Sequence, residues 1–276
     1  MTSASPPSSR DASSATPRSE SEDSDIVVRG RLRNALQNFV ASLTQTGPTE
    51  QIARWKDDIC PALFGMDSAQ ADFMGRRIEA LANSVRLRTR HSNCATTMMI
   101  VVTPDAAGFA RELARQLPVT LRTDGFSRLK RFVSSTKPVR WLSVTDECGG
   151  GCSLPNSRLT MATRPTFRAM LVIVDAHRIG GINLGELSDY VAMVALSNPP
   201  ADVRARSSSI LSMNEESRVP GTHYQLTDYD RSFLSGLYGS AIDGSGREQR
   251  SSIVRRMKRD RHGKPQTAEG ESPQHP

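Results

Sequence analysis

The chain has 276 residues, a net charge of +7 and few aromatic residues, so its core must rest on aliphatic side chains and methionine. No stretch reaches the roughly 18–20 apolar residues that a membrane span requires. No basic start runs into an apolar stretch, so the chain as given shows no signal peptide.

Residues 1–24 hold nine Ser and three Pro and no aromatic residue, and residues 1–25 carry a net −3. Such a segment cannot bury enough apolar surface to offset the entropy of ordering it, so 1–25 reads as disordered. The stretch after 260 is again polar and Pro-bearing and reads the same way, leaving one domain over 26–260. Residues 247–264 carry eight Arg or Lys against Glu248 and Asp260, a net +6, so the high pI reads largely as a property of the tail.

Asp25 to Val28 reads as a short extended run. Leu32, Leu36, Phe39, Val40 and Leu43 then fall at helical spacing, and Gly47-Pro48 ends that helix. Asp67 and Gln70 form a capping box, followed by Met74, Ile78, Leu81 and Val85 on one face. Met98 to Val102 reads as a buried strand. Thr103-Pro104-Asp105 supplies an N-cap, a first-turn proline and an early acid for a helix lined by Phe109, Leu113 and Leu117. A basic helix is expected near Phe126 to Val133, strands over Val139 to Thr145 and Arg168 to Val174, and a loop from Glu147 to Arg158. Asn183 and Glu186 cap an apolar helix, and Tyr190 to Leu196 is apolar all round, which points to a central core helix. Residues 199–226 read as irregular around an apolar patch at Ile210 to Met213. Thr227 and Asp230 open a helix carrying Tyr229, Phe233 and Leu237, and a last basic helix runs from Gly246 to Arg259, anchored by Ile253 and Met257.

The most informative stretch is Phe167 to Pro200: a buried strand, a Gly-Gly loop, then the capped apolar helix. A zinc hydrolase of the HExxH type needs such a helix with two His one turn apart and a Glu between them. Here the matching face shows Asp189, Tyr190 and Met193 and no histidine. Val172-Ile173-Val174-Asp175, Leu184-Gly185-Glu186-Leu187-Ser188-Asp189-Tyr190-Val191-Ala192-Met193 and Leu226-Thr227…Asp230…Leu234…Leu237-Tyr238 resemble a group of exported bacterial proteins. The resemblance runs from Ala53-Arg54-Trp55…Cys60-Pro61 to Arg255-Arg256-Met257, and the same order is similar to a zincin-like metallopeptidase domain. It implies an exported protein whose α/β (α+β) fold has a small mixed sheet flanked by helices in a zincin-like arrangement, without the metal motif. Separately, Asp25-Ile26-Val27-Val28-Arg29-Gly30 resembles the short extended segment near the start of envelope proteins, including receptors with a Ton box.

Several residues invite chemistry. Asp175 and His177 sit where a buried strand emerges, the usual place for sites on α/β sheets. They read either as a carboxylate beside a general base or as a loop cap beside a solvated imidazole. Asp189 and Tyr190 read as a polar pair, or Asp189 faces solvent or a neighbouring backbone. His223 and Tyr224 can reach a pocket from the irregular segment. His91, three residues before Cys94, does not make a zinc site alone. The four cysteines permit a Cys60–Cys94 bridge stapling one helical excursion and a Cys148–Cys152 bridge across three glycines, four free thiols, or zinc ligation by all four. Gly149 to Gly151 has no lysine and is no phosphate loop. Neither a catalytic residue, a resident metal nor a cofactor is expected.

The leading expectation is a non-catalytic periplasmic or exported protein, with a degenerate zincin-like domain that acts through an envelope partner. The alternatives are a cytoplasmic protein that binds nucleic acid or another polyanion through its basic C-terminal segment, and a metal-independent hydrolase around Asp175 and His177.

Overall fold

A computed structural model describes residues 1, 20–44, 47, 50–116, 126–148, 161, 163–204, 208–214 and 223–262. The elements run α1 (Glu20–Leu43), β1 (Pro61–Phe64), α2 (Ser68–Ser84), β2 (Met98–Thr103), α3 (Ala106–Gln116), α4 (Phe126–Ser134), β3 (Val139–Asp146), β4 (Thr166–Asp175), α5 (Leu184–Ser197), a 3-10 turn (Ile210–Asn214), α6 (Asp228–Gly239) and α7 (Gly246–His262). The strands form one open mixed sheet in the order β1-β2-β4-β3. β1, β2 and β4 are parallel, and β3 runs antiparallel to β4 with a register shift at Val144/Thr145.

β4 lies inside the sheet and is apolar on both faces, as strands covered on both sides must be. Met170, Val172 and Val174 join Met98, Ile100, Val139 and Trp141 in the main core, beneath α5. On the other face Ile173 meets Ala106 and Ala110 of α3 and Leu129 and Phe132 of α4.

Every residue of α5 from Glu186 to Ser197 is buried. Its closing carbonyls have no partner within the helix and need donors from elsewhere. Trp55 Nε1 donates to the Ala195 carbonyl at 2.8 Å, Tyr238 Oη to that of Leu196 at 2.7 Å, and Trp141 Nε1 to that of Pro199 at 3.0 Å. Burial pushes the Tyr238 hydroxyl pKa up, which keeps it a donor. Asn198 then ends the helix in the left-handed region at φ 46°, which Asn tolerates better than most residues.

α6 and α7 form a close hairpin. A Cβ at Gly236 would stand 2.9 Å from the Ile253 Cα, so only glycine admits this approach. Asp230, fully buried, takes the Ser209 hydroxyl at 2.6 Å and the Ile210 amide at 2.9 Å, while also completing the Thr227 capping box. Burial pushes its carboxyl pKa up, and these hydrogen bonds offset part of that shift.

The α/β fold agrees with expectation, as do the capping boxes at Asp67 and Asn183 and the burial of Ile253 and Met257. Three local readings are corrected. Residues 25–28 are helical rather than extended, since α1 begins at Glu20. The helix is held downstream, where Leu36, Val40 and Leu43 are buried, and extending it through Ile26, Val27 and Val28 costs only a few tenths of a kcal/mol per residue. The cap of α3 is Asp105, which accepts the Gly108 amide at 2.7 Å, because Thr103 is still paired with Asp175 in the sheet. Phe109 is 37 % exposed, and Ala106 and Ala110 make the inner face instead. Leu117, most of the 147–158 loop, and the ends 2–19 and 263–276 lie outside the described residues.

Candidate functional site

The sequence-derived candidates do not converge on one centre. Asp175 Oδ1 accepts the backbone N–H of His177 at 3.1 Å, while the imidazole itself is exposed. Near this end of the sheet lies Arg140, 4 % exposed, whose Nη1 donates to the Val133 carbonyl at 3.4 Å. Burial lowers its pKa, opposed by the charges of Asp175 and Asp105 and reinforced by those of Arg178 and Arg111. The mixture of signs there defines no preference for one ligand charge.

Asp189 faces neither solvent nor a neighbouring backbone but a side chain of another helix. It is 5 % exposed, and both its oxygens take Arg77 of α2, from Nε and Nη2, at 2.7 Å each. The Asp189 hydrogen bond raises the Arg77 pKa, and the guanidinium also lies 5.7 Å from the Phe73 ring centroid. Tyr190 is fully buried in the main core. His223 folds back to Glu186 rather than to Asp189: its Nδ1 lies 3.1 Å from Glu186 Oε1, which also accepts the Tyr224 amide at 3.0 Å. Glu186 Oε2 accepts the Asn183 amide at 3.3 Å within the capping box. Both acids of α5 are therefore engaged by protein groups, and among the described residues no group of three metal-ligating side chains forms.

Cys60 and Cys94 form a disulfide with a Cα separation of 6.1 Å, so ligation of zinc by all four cysteines is overturned, as is the reading of four free thiols. Cys148 is disulfide-bonded, and Cys152 lies outside the described residues. His91 pairs with Glu79 at 3.3 Å.

Charge of one sign gathers elsewhere, between α1 and α7. The basic segment is no loose tail, since Ile253 and Met257 of α7 are 0 % and 1 % exposed. The start of α7 is held against the chain that follows α1. Arg250 donates from Nε to Thr44 Oγ1 at 3.3 Å and from Nη1 to the Glu50 carbonyl at 3.0 Å. Gly246 permits this, because a Cβ there would fall 1.8 Å from that same carbonyl oxygen. The two helices thus pack antiparallel, bringing Lys258 toward Arg33.

Between them runs a groove of about 540 Å³, lined by Arg33, Gln37 and Val40 of α1 and by Arg247, Arg250, Ser251, Val254, Arg255 and Lys258 of α7. Among the described residues five cations line it and no carboxylate does. Among the described residues Arg33, Arg247, Arg255 and Lys258 enter no ion pair, whereas Arg256, turned away, holds Asp260 at 3.1 Å. Burial lowers the Arg250 pKa, and the nearby Glu50 charge offsets part of this. The larger cavity of about 630 Å³, at the other end of the sheet, sets Arg128 against Glu50 and Glu147 and gathers no charge of one sign.

Sequence reading found the basic stripe of α7 and missed Arg33 and Gln37. Their spacing with Val40, at i, i+4 and i+7, is the available signal, because it places all three on one face of α1. Comparisons of the chain with protein-family models, with curated proteins and with solved structures return no match.

Proposed function

We propose that this is a non-catalytic binding protein of an oxidising, exported compartment, and that it engages an anionic envelope partner through the α1–α7 groove. The observation that carries the reading is the set of four exposed groove cations, Arg33, Arg247, Arg255 and Lys258, that enter no ion pair among the described residues. Clustered like charge on a folded face costs stability, and an anionic partner that relieves the repulsion binds correspondingly well. The Cys60–Cys94 bridge supports the compartment, since structural disulfides persist where the surroundings are oxidising. The resemblance to a zincin-like domain without its metal motif fits this reading: the α5 acids, Glu186 and Asp189, serve the cap, His223 and Arg77 rather than a metal. Among the described residues no helix is long and apolar enough to cross a membrane.

The test is binding of inorganic polyphosphate across a salt series, comparing the parent with Arg33→Gln/Arg255→Gln/Lys258→Gln. Affinity should fall at least about tenfold, and the slope of log K against log salt should flatten by roughly 0.7 for each contact removed. An unchanged slope in the triple variant refutes the groove as the binding surface. Deleting the basic segment is not an adequate substitute, because it removes Ile253 and Met257 from the core.

A further inference from the structure

We infer that the α1–α7 groove is built for an anionic phospholipid surface, with phosphate headgroups at its cationic rim and lipid carbon against its apolar lining. This rests on reading the groove as the binding surface and adds the chemistry of the ligand. Three features of the lining favour it. First, the lining is partly apolar: half-buried Val254, backed by the core residue Val40, lines the groove beside the cations. Arg and Lys side chains extend the apolar surface with their methylene stems while their charged ends stay in water. A groove that reads charge alone needs no such apolar lining.

Second, among the described residues no aromatic side chain lines the groove. Proteins that hold single-stranded nucleic acid combine a cationic track with aromatic platforms on which bases stack. Here the track is present and the platforms are absent from the described lining. Third, the charges are spread along one face. Arg247, Arg250, Arg255 and Lys258 follow one another along about three turns of α7, a rise of about 16 Å from first to last at 1.5 Å per residue. Four exposed cations, Arg33, Arg247, Arg255 and Lys258, therefore meet a planar anionic layer together. Each basic residue held near such a layer raises partitioning roughly fivefold, and screening by salt reduces the gain. Gln37 and Ser251 supply neutral hydrogen-bonding groups in the same lining, suited to the ester and glycerol oxygens between phosphate and acyl chain.

The test is co-sedimentation of the full chain with phosphatidylcholine vesicles, with and without a quarter of phosphatidylglycerol. Inorganic polyphosphate and a short single-stranded DNA are titrated in parallel. Binding should require phosphatidylglycerol. Arg255→Gln/Lys258→Gln should weaken vesicle and polyphosphate binding alike, by more than about tenfold. Val254→Ser should separate the two ligands, weakening vesicle binding about fivefold and leaving polyphosphate binding unchanged. Val254→Thr keeps the side-chain volume and serves the same purpose if the serine variant melts early. If Val254→Ser and Val254→Thr bind vesicles like the parent, the lipid inference fails while the anionic groove stands. DNA bound more tightly than vesicles overturns it in favour of nucleic acid. If the charge variants alter no binding, both the inference and the proposed function fall.

Discussion

Arg77 and Asp189 form an ion pair whose two ends stand in different surroundings, and that asymmetry predicts an unequal pair of mutants. The Asp189 side chain is 8 % exposed and that of Arg77 is 41 % exposed. Removing Arg77 leaves a buried carboxylate that has lost both its donors. Breaking a fully buried pair in this way costs about 3–5 kcal/mol; water reaching the vacated Arg77 position reduces that to about 2–3. Removing Asp189 leaves a guanidinium that swings into solvent and keeps its stacking contact with Phe73, a loss of about 1 kcal/mol. For a domain of this size each kcal/mol shifts Tm by roughly 2–4 °C. Arg77→Ala should therefore lower Tm by about 4–12 °C and Asp189→Ala by about 2–4 °C. The double variant should melt above Arg77→Ala alone, because it no longer buries an unpaired charge. Thermal and urea denaturation of the four proteins complete the cycle. If Asp189→Ala proves as costly as Arg77→Ala, or the double variant shows no recovery, the assignment of Asp189 as a structural counter-ion is wrong.

Two further outcomes test the frame around the site. Gly236→Ala places a methyl against the backbone of Ile253 and should destabilise the protein by about 1–3 kcal/mol, seen as a lower urea midpoint with an unchanged slope. Cys60→Ser/Cys94→Ser opens a link between residues 34 apart in sequence and should cost about 3–4 kcal/mol by loop-closure entropy, with a fall in Tm at least as large when the parent is reduced, since the bridge at Cys148 opens as well; identical melting with and without reductant refutes it.

What the sequence made legible was local. Asp67 with Gln70, Asn183 with Glu186 and Thr227 with Asp230 each announce a helix start within four residues, and all three close as capping boxes. The continuous apolar run of α5 likewise signalled burial on every side. Cys60 and Cys94 were readable as a pair because they flank one helical excursion, and they meet because each stands just before one of the parallel neighbours β1 and β2. Local propensity misled at residues 25–28, where β-branched side chains sit in a helix that starts upstream of them. The ion pair of Asp189 was not legible, because Arg77 lies 112 residues away and many arginines were available. The groove was hidden for the same kind of reason. The stripe of α7 was visible, but the face of α1 opposite it depends on how two helices at the ends of the domain pack together.

The hydrogen bonds that close α5 also decide what an optical probe can report. The only two tryptophans of the chain, Trp55 and Trp141, are 3 % and 5 % exposed and donate to carbonyls at or just past the same helix end. Intrinsic fluorescence is thus a single-site reporter with two emitters, both in a rigid, dry setting and neither in the lining of the groove. Emission from the folded protein should be blue-shifted, and its red shift on denaturation should register the parting of the end of α5 from Trp55 and Trp141. A ligand seated between α1 and α7 leaves that signal dark, so titrations of the groove require a label on α7 or a calorimeter.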